Sequence, residues 1–454
     1  MVKFCFTKKS GLALALLMTL AFGITGCGGG DASDAVISDG SDHGGGDDDF
    51  SINSLGRLAL TEAESSAVRI VNLDDRSMLA TFSVAGTPSS LYSSPGYRYA
   101  VVVQRNDDQV NFIDGGLYTE DHVDHLHDYA EMPQMQSLTL PDHRPTHFQK
   151  YSGQAVLFFD GSDTAASARL AVLDDAAIGE GSVEYVERDN NMHGAAQVIG
   201  DHLFVTYRDA SVTDTTLPSE VEHHQRQPGG MFVFQKRYAE QCPRLHGSAG
   251  NASHVAFGCG DGVLLIQHNA VDQPAQHLAN ADSMEEDQRI GTVAGHPEVV
   301  EFVGIAGPGL YDGPELYAIN PMDGGFRAIM WGDGSTHHLT HAFDRHGERF
   351  LVLDDSGVLH ILSPQEDWAV RASVAVLERT EESPRPRLVV SGAGDYAYVS
   401  DPETNRVIEV NLENAMIEGE ISLDFSPANL VWLGLTRHDN HDHGHDDHDH
   451  DHDH

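Results

Sequence analysis

The chain has 454 residues, with 70 acidic against 27 basic side chains and a formal net charge of −43. This charge argues against nucleic acid or an anionic lipid surface as a partner, and it favours cationic ligands such as divalent metal ions. A negative field concentrates such ions but does not select zinc over calcium.

The first 26 residues are predicted to be an export signal. Three lysines precede an apolar run, Leu12–Phe22, that is too short to span a membrane. The motif ITGC resembles a bacterial lipobox, which would acylate Cys27; an ordinary signal peptide with Cys27 as an incidental thiol is the alternative. Residues 27–50 form a Gly- and Asp-rich tether. The residue after Cys27 is Gly28 rather than the Asp that resembles an inner-membrane retention signal. We therefore expect a lipid-anchored periplasmic protein on the outer membrane.

Residues 51–436 are predicted to form an all-β propeller of eight four-stranded blades, with seven blades as the alternative. Short runs of Val, Ile, Leu and Phe end at Asp, Gly or Asn and recur about every 45 residues. The strand PANLVWLG lacks the second half of its repeat. It is predicted to complete the first blade, which hides two sheet edges. The eight copies begin at Gly56, Ser90, Thr146, Met192, Leu245, Val299, Thr340 and Pro386.

The long connection between the second and third copies carries the segment TEDHVDHLHDY. Its H-x-x-H-x-H spacing suits a tetrahedral metal ion, and a solvated acidic loop is the alternative. We predict a mobile metal-binding loop that shares an ion with His147. Its candidate ligands are His122, Asp124, His125 and His127.

Four histidines share one position at the start of their repeats: His147 in PTHF, His193 in NMHG, His246 in RLHG and His341 in LTHAF. Equivalent positions in successive blades lie on a ring around the channel, so the four imidazoles are predicted to face one funnel. Any one metal ion is expected to take two or three of them. For each histidine the alternative is a hydrogen bond that ties one blade to the next. His337 and His338 are supplementary candidates.

Of the four cysteines, only Cys242 and Cys259 fall in the predicted propeller. In an oxidising compartment the pair predicts a disulfide that closes a short loop and contributes about 3 kcal/mol. A thiolate zinc site is the alternative.

Residues 437–454 are predicted to be a disordered metal-binding tail. From His438 onward the tail holds eight His, seven Asp and no apolar residue, a composition that cannot form a packed core. Imidazole and carboxylate together suit a transition metal, and a solubilising tail or a purification tag is the alternative. The candidate ligands are His438, His441, His443, His445, His448, His450, His452 and His454.

The chain resembles the periplasmic zinc metallochaperones of the AztD type in five segments: DHVDHLHD, RPTHF with AVLFFDG, MHG with GDHLFVTY, CPRLHG with FGCGDGVLLI, and PRPRLVVSGAGDYAYVSDP. The similarity runs over Pro88–Leu423, and CPRLHG with GCGDG is its most specific part. It implies a β-propeller that binds Zn²⁺ through histidines and carboxylates and passes it to the substrate-binding protein of a zinc ABC importer. It also supports pairing of Cys242 with Cys259. The lipid anchor and the His/Asp tail depart from the family.

These features predict a non-enzymatic, monomeric zinc chaperone that is held to a membrane by lipid and has no nucleic-acid partner. The tail and the His122 loop are expected to gather zinc, and a site near His147, His193 and His246 to hold it for stepwise ligand exchange. One alternative is a copper- or other cofactor-dependent propeller oxidoreductase, although no Met or Cys clusters with the histidines and no nucleophile elbow is present. Another is a metal-sequestering lipoprotein.

Overall fold

Eight four-stranded antiparallel sheets form the described part of the chain, as the repeat predicts. The computed structural model describes residues 49–123, 125–164, 166–307, 315–332 and 334–436. The predicted signal peptide 1–26, Cys27, Asp124 and the tail 437–454 lie outside these residues. The prediction of an eight-bladed propeller is confirmed.

In every blade the four strands run in order from the innermost to the outermost, and blades 1 to 4 come first in the ring. Blade 1 contains β34 (Pro427–Leu433), β1 (Arg57–Glu62), β2 (Ala67–Asn72) and β3 (Met78–Ser83). Blade 2 contains β4 (Ser90–Ser93), β5 (Tyr99–Gln104), β6 (Gln109–Asp114) and β9 (Gln134–Leu140). Blade 3 contains β10 (Pro145–Tyr151), β11 (Gln154–Phe159), β12 (Arg169–Leu173) and β13 (Glu184–Glu187). Blade 4 contains β14 (Ala196–Ile199), β15 (His202–Tyr207), β16 (Glu220–Arg226) and β17 (Phe232–Arg237).

The remaining four blades follow the same order. Blade 5 contains β18 (His246–Gly250), β19 (His254–Gly258), β20 (Gly262–Gln267) and β21 (Ala275–Ala279). Blade 6 contains β22 (Arg289–Ala294), β23 (Phe302–Gly307), β24 (Leu316–Ile319) and β25 (Phe326–Ala328). Blade 7 contains β26 (His338–Phe343), β27 (Phe350–Asp354), β28 (Val358–Ser363) and β29 (Ala369–Ala375). Blade 8 contains β30 (Leu388–Val390), β31 (Tyr396–Asp401), β32 (Arg406–Asn411) and β33 (Met416–Ser422).

The helices among the described residues are short: α1 (Asp175–Glu180) and two 3₁₀ turns, Arg105–Asp107 and Pro364–Glu366. No helix in the described ranges is both long and apolar enough to cross a membrane.

Burial follows the position of each strand within its blade. The second strands are buried on both sides because neighbouring blades cover both sheet faces, as in β5 (YAVVVQ) and β27 (FLVLD). The outermost strands alternate between exposed and half-buried residues, as in β3 and β29. This pattern explains why continuous apolar runs rather than alternating ones mark the repeat.

The ring closes between the two ends of the propeller sequence. β34 pairs with β1, with Arg57 opposite Leu433 and Leu60 opposite Leu430. The Thr61 hydroxyl accepts a hydrogen bond from the Asn429 side-chain amide at 3.0 Å. The prediction that the strand PANLVWLG completes the first blade is confirmed.

The strand directions define two faces of the propeller. Each inner strand starts at the face that we call the histidine face, where His246 begins β18. It ends at the opposite face, the turn face, where the chain turns into the second strand, as between Tyr151 and Gln154. The turn face holds a cavity of about 1210 Å³ whose lining includes Trp432 and Thr436.

A β-hairpin stands where the sequence predicted a mobile loop. It comprises β7 (Leu117–Asp121) and β8 (Leu126–Ala130) and leaves the turn-face end of β6. Asp49 and Phe50, which were assigned to the tether, pack on it instead: the Phe50 amide donates to Leu126 O at 2.9 Å. The sequence analysis did not predict this contact, because Phe50 lies about 75 residues before Leu126 in the chain.

Candidate metal centre

Three imidazoles from consecutive blades meet at the histidine face. One nitrogen of each of His147, His193 and His246 lies within 4.8 Å of the others. Their ring centroids are 4.7, 4.9 and 5.0 Å apart, and all three side chains are half-buried. Such spacing suits a single tetrahedral ion. The structure therefore brings together three of the four ring histidines that the sequence predicted.

Local backbone features place these side chains. His147 lies within β10, and His193 precedes β14, where its own amide donates to Thr216 O at 2.9 Å. His246 is followed by a β-bulge at Gly247, whose φ is +70°. A Cβ at Gly247 would lie 2.8 Å from the carbonyl oxygen of Gly291. The bulge thus requires glycine, and it turns His246 toward its neighbours.

Each imidazole is held through Nδ1. His147 Nδ1 donates to Gly194 O and His246 Nδ1 donates to Gly291 O, both at 2.7 Å. His193 Nδ1 lies 2.9 Å from Asp160 Oδ2. All three bonds cross between blades, so the predicted blade-tying role of these histidines is real. These Nδ1 hydrogen bonds leave Nε2 of each ring available for a ligand. Metal-bound histidines in proteins are oriented in the same way, through a hydrogen bond from the other ring nitrogen.

The Nε2 atoms of His193 and His246 face each other at 3.1 Å. With Nδ1 protonated on both rings, two lone pairs point into the same space. A metal ion bound between them would accept both lone pairs. The donor set of three imidazoles fits zinc, copper or nickel.

Asp160 supports the cluster from behind. It directly follows β11, is almost fully buried, and accepts a hydrogen bond from Arg105 Nη2 at 2.8 Å. Burial opposes its ionisation, but the hydrogen bonds from His193 and Arg105 outweigh burial and lower its pKa. Its Oδ1 is buried and has no hydrogen-bond partner among the described residues. Asp160 therefore carries a negative charge beside a site that takes a cation.

Burial favours the neutral form of His147 and His246. It lowers the pKa of His147 to about 4, against the opposing effect of the bond to Gly194. It also lowers the pKa of His246. Neutral imidazole is the form that binds metal, so His147 and His246 lose no proton when an ion enters at neutral pH.

His341 does not join the cluster. It pairs with Val352 in the middle of β26, whereas His338 pairs with Asp354 just before a bulge, the position that His246 has in β18. His338 Nε2 lies 2.9 Å from His341 Nδ1. Burial is the main cause that lowers the pKa of His338 to about 3 and of His341 to about 4. Register thus assigns His338, not His341, to the ring.

The hairpin holds a second histidine group. The His122 ring is 5.2 Å from that of His125 and 5.9 Å from that of His127. His122 Nε2 lies 3.2 Å from the Tyr129 hydroxyl. Phe50 stacks on His127 at 4.6 Å.

The hairpin group lies on the turn face, whereas the three-histidine cluster lies on the histidine face. The two groups are therefore at opposite ends of the channel. An ion shared between His147 and the hairpin, as the sequence suggested, does not fit these positions.

Sequence reasoning missed the residues behind the cluster. Asp160 was visible as the Asp within AVLFFDG, but its partner His193 belongs to the next blade. A further pair, His202 and His223, was also missed: their nitrogens are 2.9 Å apart in a cavity of about 690 Å³ that His268 also lines. The spacing of two histidines on paired strands was the available signal.

Comparison with known proteins shows similarity to a zinc chaperone of known structure. No family model matches the chain. The zinc chaperone AztD of Citrobacter koseri is 27% identical over 403 residues, which cover 85% of this chain and 89% of the relative. The crystal structure of C. koseri AztD has a TM-score of 0.69 at 25% identity, covering 83% of this chain and 97% of that chain. The structure of apo AztD from C. koseri gives the same TM-score and identity, with 83% and 98% covered.

A more distant structure shares the fold alone. The dihydro-heme d1 dehydrogenase NirN has a TM-score of 0.56 at 12% identity, covering 84% of this chain and 76% of that chain. The resemblance to the AztD-type zinc chaperones that the sequence predicted is confirmed by the C. koseri protein and its structures.

Proposed function

We propose that this chain is a zinc chaperone that holds one Zn²⁺ between His147, His193 and His246 and passes it to a zinc-binding protein. The observation that carries the proposal is the convergence of three Nε2 atoms whose Nδ1 atoms are all fixed by acceptors. The likeness to zinc chaperone AztD supports zinc as the ion.

Three protein ligands leave one position on a tetrahedral zinc ion for water or for a ligand from another protein. On entry, Zn²⁺ accepts the Nε2 lone pairs of His193 and His246, and the Asp160 carboxylate offsets the added charge. A ligand from the acceptor then occupies the open position, and the three imidazoles leave one at a time. Zinc has no ligand-field preference, so such exchange meets no electronic barrier. This route is binding and transfer without catalysis.

The ITGC motif supports a lipid anchor at Cys27 in the periplasm, with the outer membrane as the site. The acceptor is the substrate-binding protein of a zinc ABC importer, the partner that the family resemblance implies. The His122 hairpin and the tail from His438 collect zinc, and the chain acts as a monomer.

The decisive experiment is zinc transfer. Purified zinc-loaded protein is mixed with an apo zinc-binding acceptor in the presence of a chelator that removes free zinc, and acceptor metallation is followed over time. We expect chelator-resistant transfer from the wild type and its loss in the variant His147→Ala/His193→Ala/His246→Ala. The matched control is His202→Ala/His223→Ala/His268→Ala, which removes three imidazoles elsewhere. Unimpaired transfer by the first variant would assign the donor role to the hairpin or the tail.

Metal analysis of the natively purified protein addresses the oxidoreductase alternative. Colourless protein with stoichiometric zinc supports the chaperone, and bound copper with visible absorption contradicts it. Deletion of 438–454 should lower the number of zinc ions bound and leave one tight site and the fold intact. Complete loss of zinc in this deletion would place the primary site in the tail.

A further inference from the structure

A second group of metal-ligand side chains lies in blade 5, outside the three-histidine cluster. It consists of Cys259, Asp261 and His277, with one ligand atom of each within 4.8 Å of the others. Cys259 is bonded to Cys242, so the predicted disulfide is present. We propose that reduction of this disulfide creates a zinc site with four ligands: Cys242, Cys259, Asp261 and His277.

The fold brings these residues together at the histidine face. Cys259 and Asp261 lie in the turn between β19 and β20. His277, on β21, lies opposite Leu264 of β20. His277 Nε2 lies 2.9 Å from Asp261 Oδ1. On a zinc ion with bonds of about 2.0 Å to oxygen and nitrogen, two such ligand atoms lie about 3.3 Å apart. The pair therefore needs to open by only a few tenths of an ångström to admit the ion.

The two cysteines complete the ligand count. Their Cα atoms are 4.9 Å apart, so both thiolates can reach one ion. Two thiolates, one imidazole and one carboxylate are ligand types that zinc takes in tetrahedral sites. Both cysteines are fully buried, whereas the Asp261 side chain is 57% exposed. An ion can enter from the Asp261 side and end against the buried sulfurs.

The reaction balances with a thiol reductant as the only co-reactant. Two electrons and two protons from a dithiol convert the disulfide into two thiols, and the dithiol becomes a disulfide. Binding of Zn²⁺ then releases the two thiol protons. In the reverse direction, an oxidant that reforms the disulfide expels the ion. The site thus binds Zn²⁺ in the reduced protein but not in the oxidised protein. This behaviour is independent of the three-histidine cluster.

The test uses Co²⁺, whose bonds to thiolates give a near-ultraviolet charge-transfer band that imidazole and carboxylate do not give. The full-length protein is prepared oxidised and, after anaerobic phosphine reduction, as the dithiol. We expect the dithiol protein to bind one more Co²⁺ than the oxidised protein, with the thiolate band. Cys242→Ser/Cys259→Ser should abolish the band, and His277→Ala should weaken binding about 10- to 100-fold or more.

Two further variants keep the outcome decisive. Cys242→Ala leaves the Cys259 thiol beside Asp261 and His277 without any reduction step, so a buried disulfide that resists the phosphine does not end the test. We expect it to bind Co²⁺ with a one-thiolate band that Cys242→Ala/His277→Ala loses. His360→Ala is the matched control, because His360 contacts Asp354 at 3.1 Å in the same manner but far from the cysteines. Absence of a thiolate band in both the dithiol protein and Cys242→Ala would overturn the proposal.

Discussion

The three-histidine cluster and the hairpin both present three imidazoles, but they differ in how the rings are held. In the cluster every Nδ1 has an acceptor on a neighbouring blade, and two acceptors are backbone carbonyls. In the hairpin, His122 contacts the Tyr129 hydroxyl, and His127 Nδ1 has no hydrogen-bond partner among the described residues. The two groups therefore have the same number of imidazoles, but those of the cluster are the more preorganised.

This difference bears on affinity and exchange. Ligands held in place by outer contacts lose little freedom when they bind a metal, so they bind it more tightly. Ligands on a two-stranded hairpin pay more to become ordered and release the ion more readily. The cluster suits holding zinc, and the hairpin suits collecting it.

The largest expected effect comes from removing each group in turn. His147→Ala/His193→Ala/His246→Ala should lower the affinity of the tightest zinc site by about 1000-fold or more, because all of its fixed ligands are gone. His122→Ala/His125→Ala/His127→Ala should change that affinity by less than about 10-fold. Competition with chelators of graded strength measures both. A larger loss from the hairpin variant would reverse the assignment of the two groups.

The contacts behind the ligands can be tested separately from the ligands. Asp160→Asn keeps an oxygen near His193 but removes the charge, and we expect zinc affinity to fall about 10- to 100-fold. Asp354→Asn is the control, since it makes the same change beside His360 at another place in the fold. In the hairpin, Tyr129→Phe should have a smaller effect on metal uptake. Equal effects from Asp160→Asn and Asp354→Asn would show that the Asp160 charge does not contribute to zinc affinity at the cluster.

Buried channel imidazoles should also give the metal-free protein an acid-sensitive stability. The folded pKa values of about 3 for His338 and about 4 for His341 lie below the usual value of about 6.5, so below pH 6.5 the unfolded chain binds more protons. Stability is full above that pH and falls as the pH drops toward 4, by up to about 1.4 kcal/mol per pH unit for each imidazole. Urea unfolding of His338→Gln/His341→Gln between pH 7 and 4 should show a shallower slope. The hairpin triple variant should keep the wild-type slope, and a slope that is unchanged in the Gln variant would contradict this explanation.

The smallest expected effect concerns the contact of Phe50 with the hairpin. Phe50→Ala removes the stacking on His127, worth about 0.5–1.5 kcal/mol. We expect faster hydrogen exchange at the amides of Leu126 and Asp128, which bond to Asp49 and Phe50. Affinity at the three-histidine cluster should not change. Met416→Ala, on exposed β33, is the control and should alter exchange in neither region.

The repeat was enough to predict the blades because second strands buried on both sides leave a continuous apolar signature. AVVV in β5, AVLFF in β11 and FLVLD in β27 are examples. Ring closure followed from the missing half of the last repeat. The hairpin did not follow, because its strands are short and polar and depend on Phe50 for support.

The candidate site was predictable only as far as register could be read. His147, His193 and His246 stand close to the starts of their inner strands, and the repeat aligned them. The prediction that placed His341 on the ring was wrong, because His338 holds the paired position just before the bulge and His341 lies further along β26. The Nδ1 acceptors depend on which blade packs beside which, and a single repeat carries no information about that.

The pairing of Arg57 with Leu433 puts the entry and the exit of the chain side by side on the turn face. The base of the hairpin is there as well: Arg57 donates to Glu131 O at 2.6 Å, and the Gly434 amide donates to Tyr97 O at 3.0 Å. On the proposed function, the hairpin imidazoles thus collect zinc at the end of the propeller where its first and last strands meet. The three-histidine cluster stores zinc at the other end, so collection and storage are separated by the length of the channel.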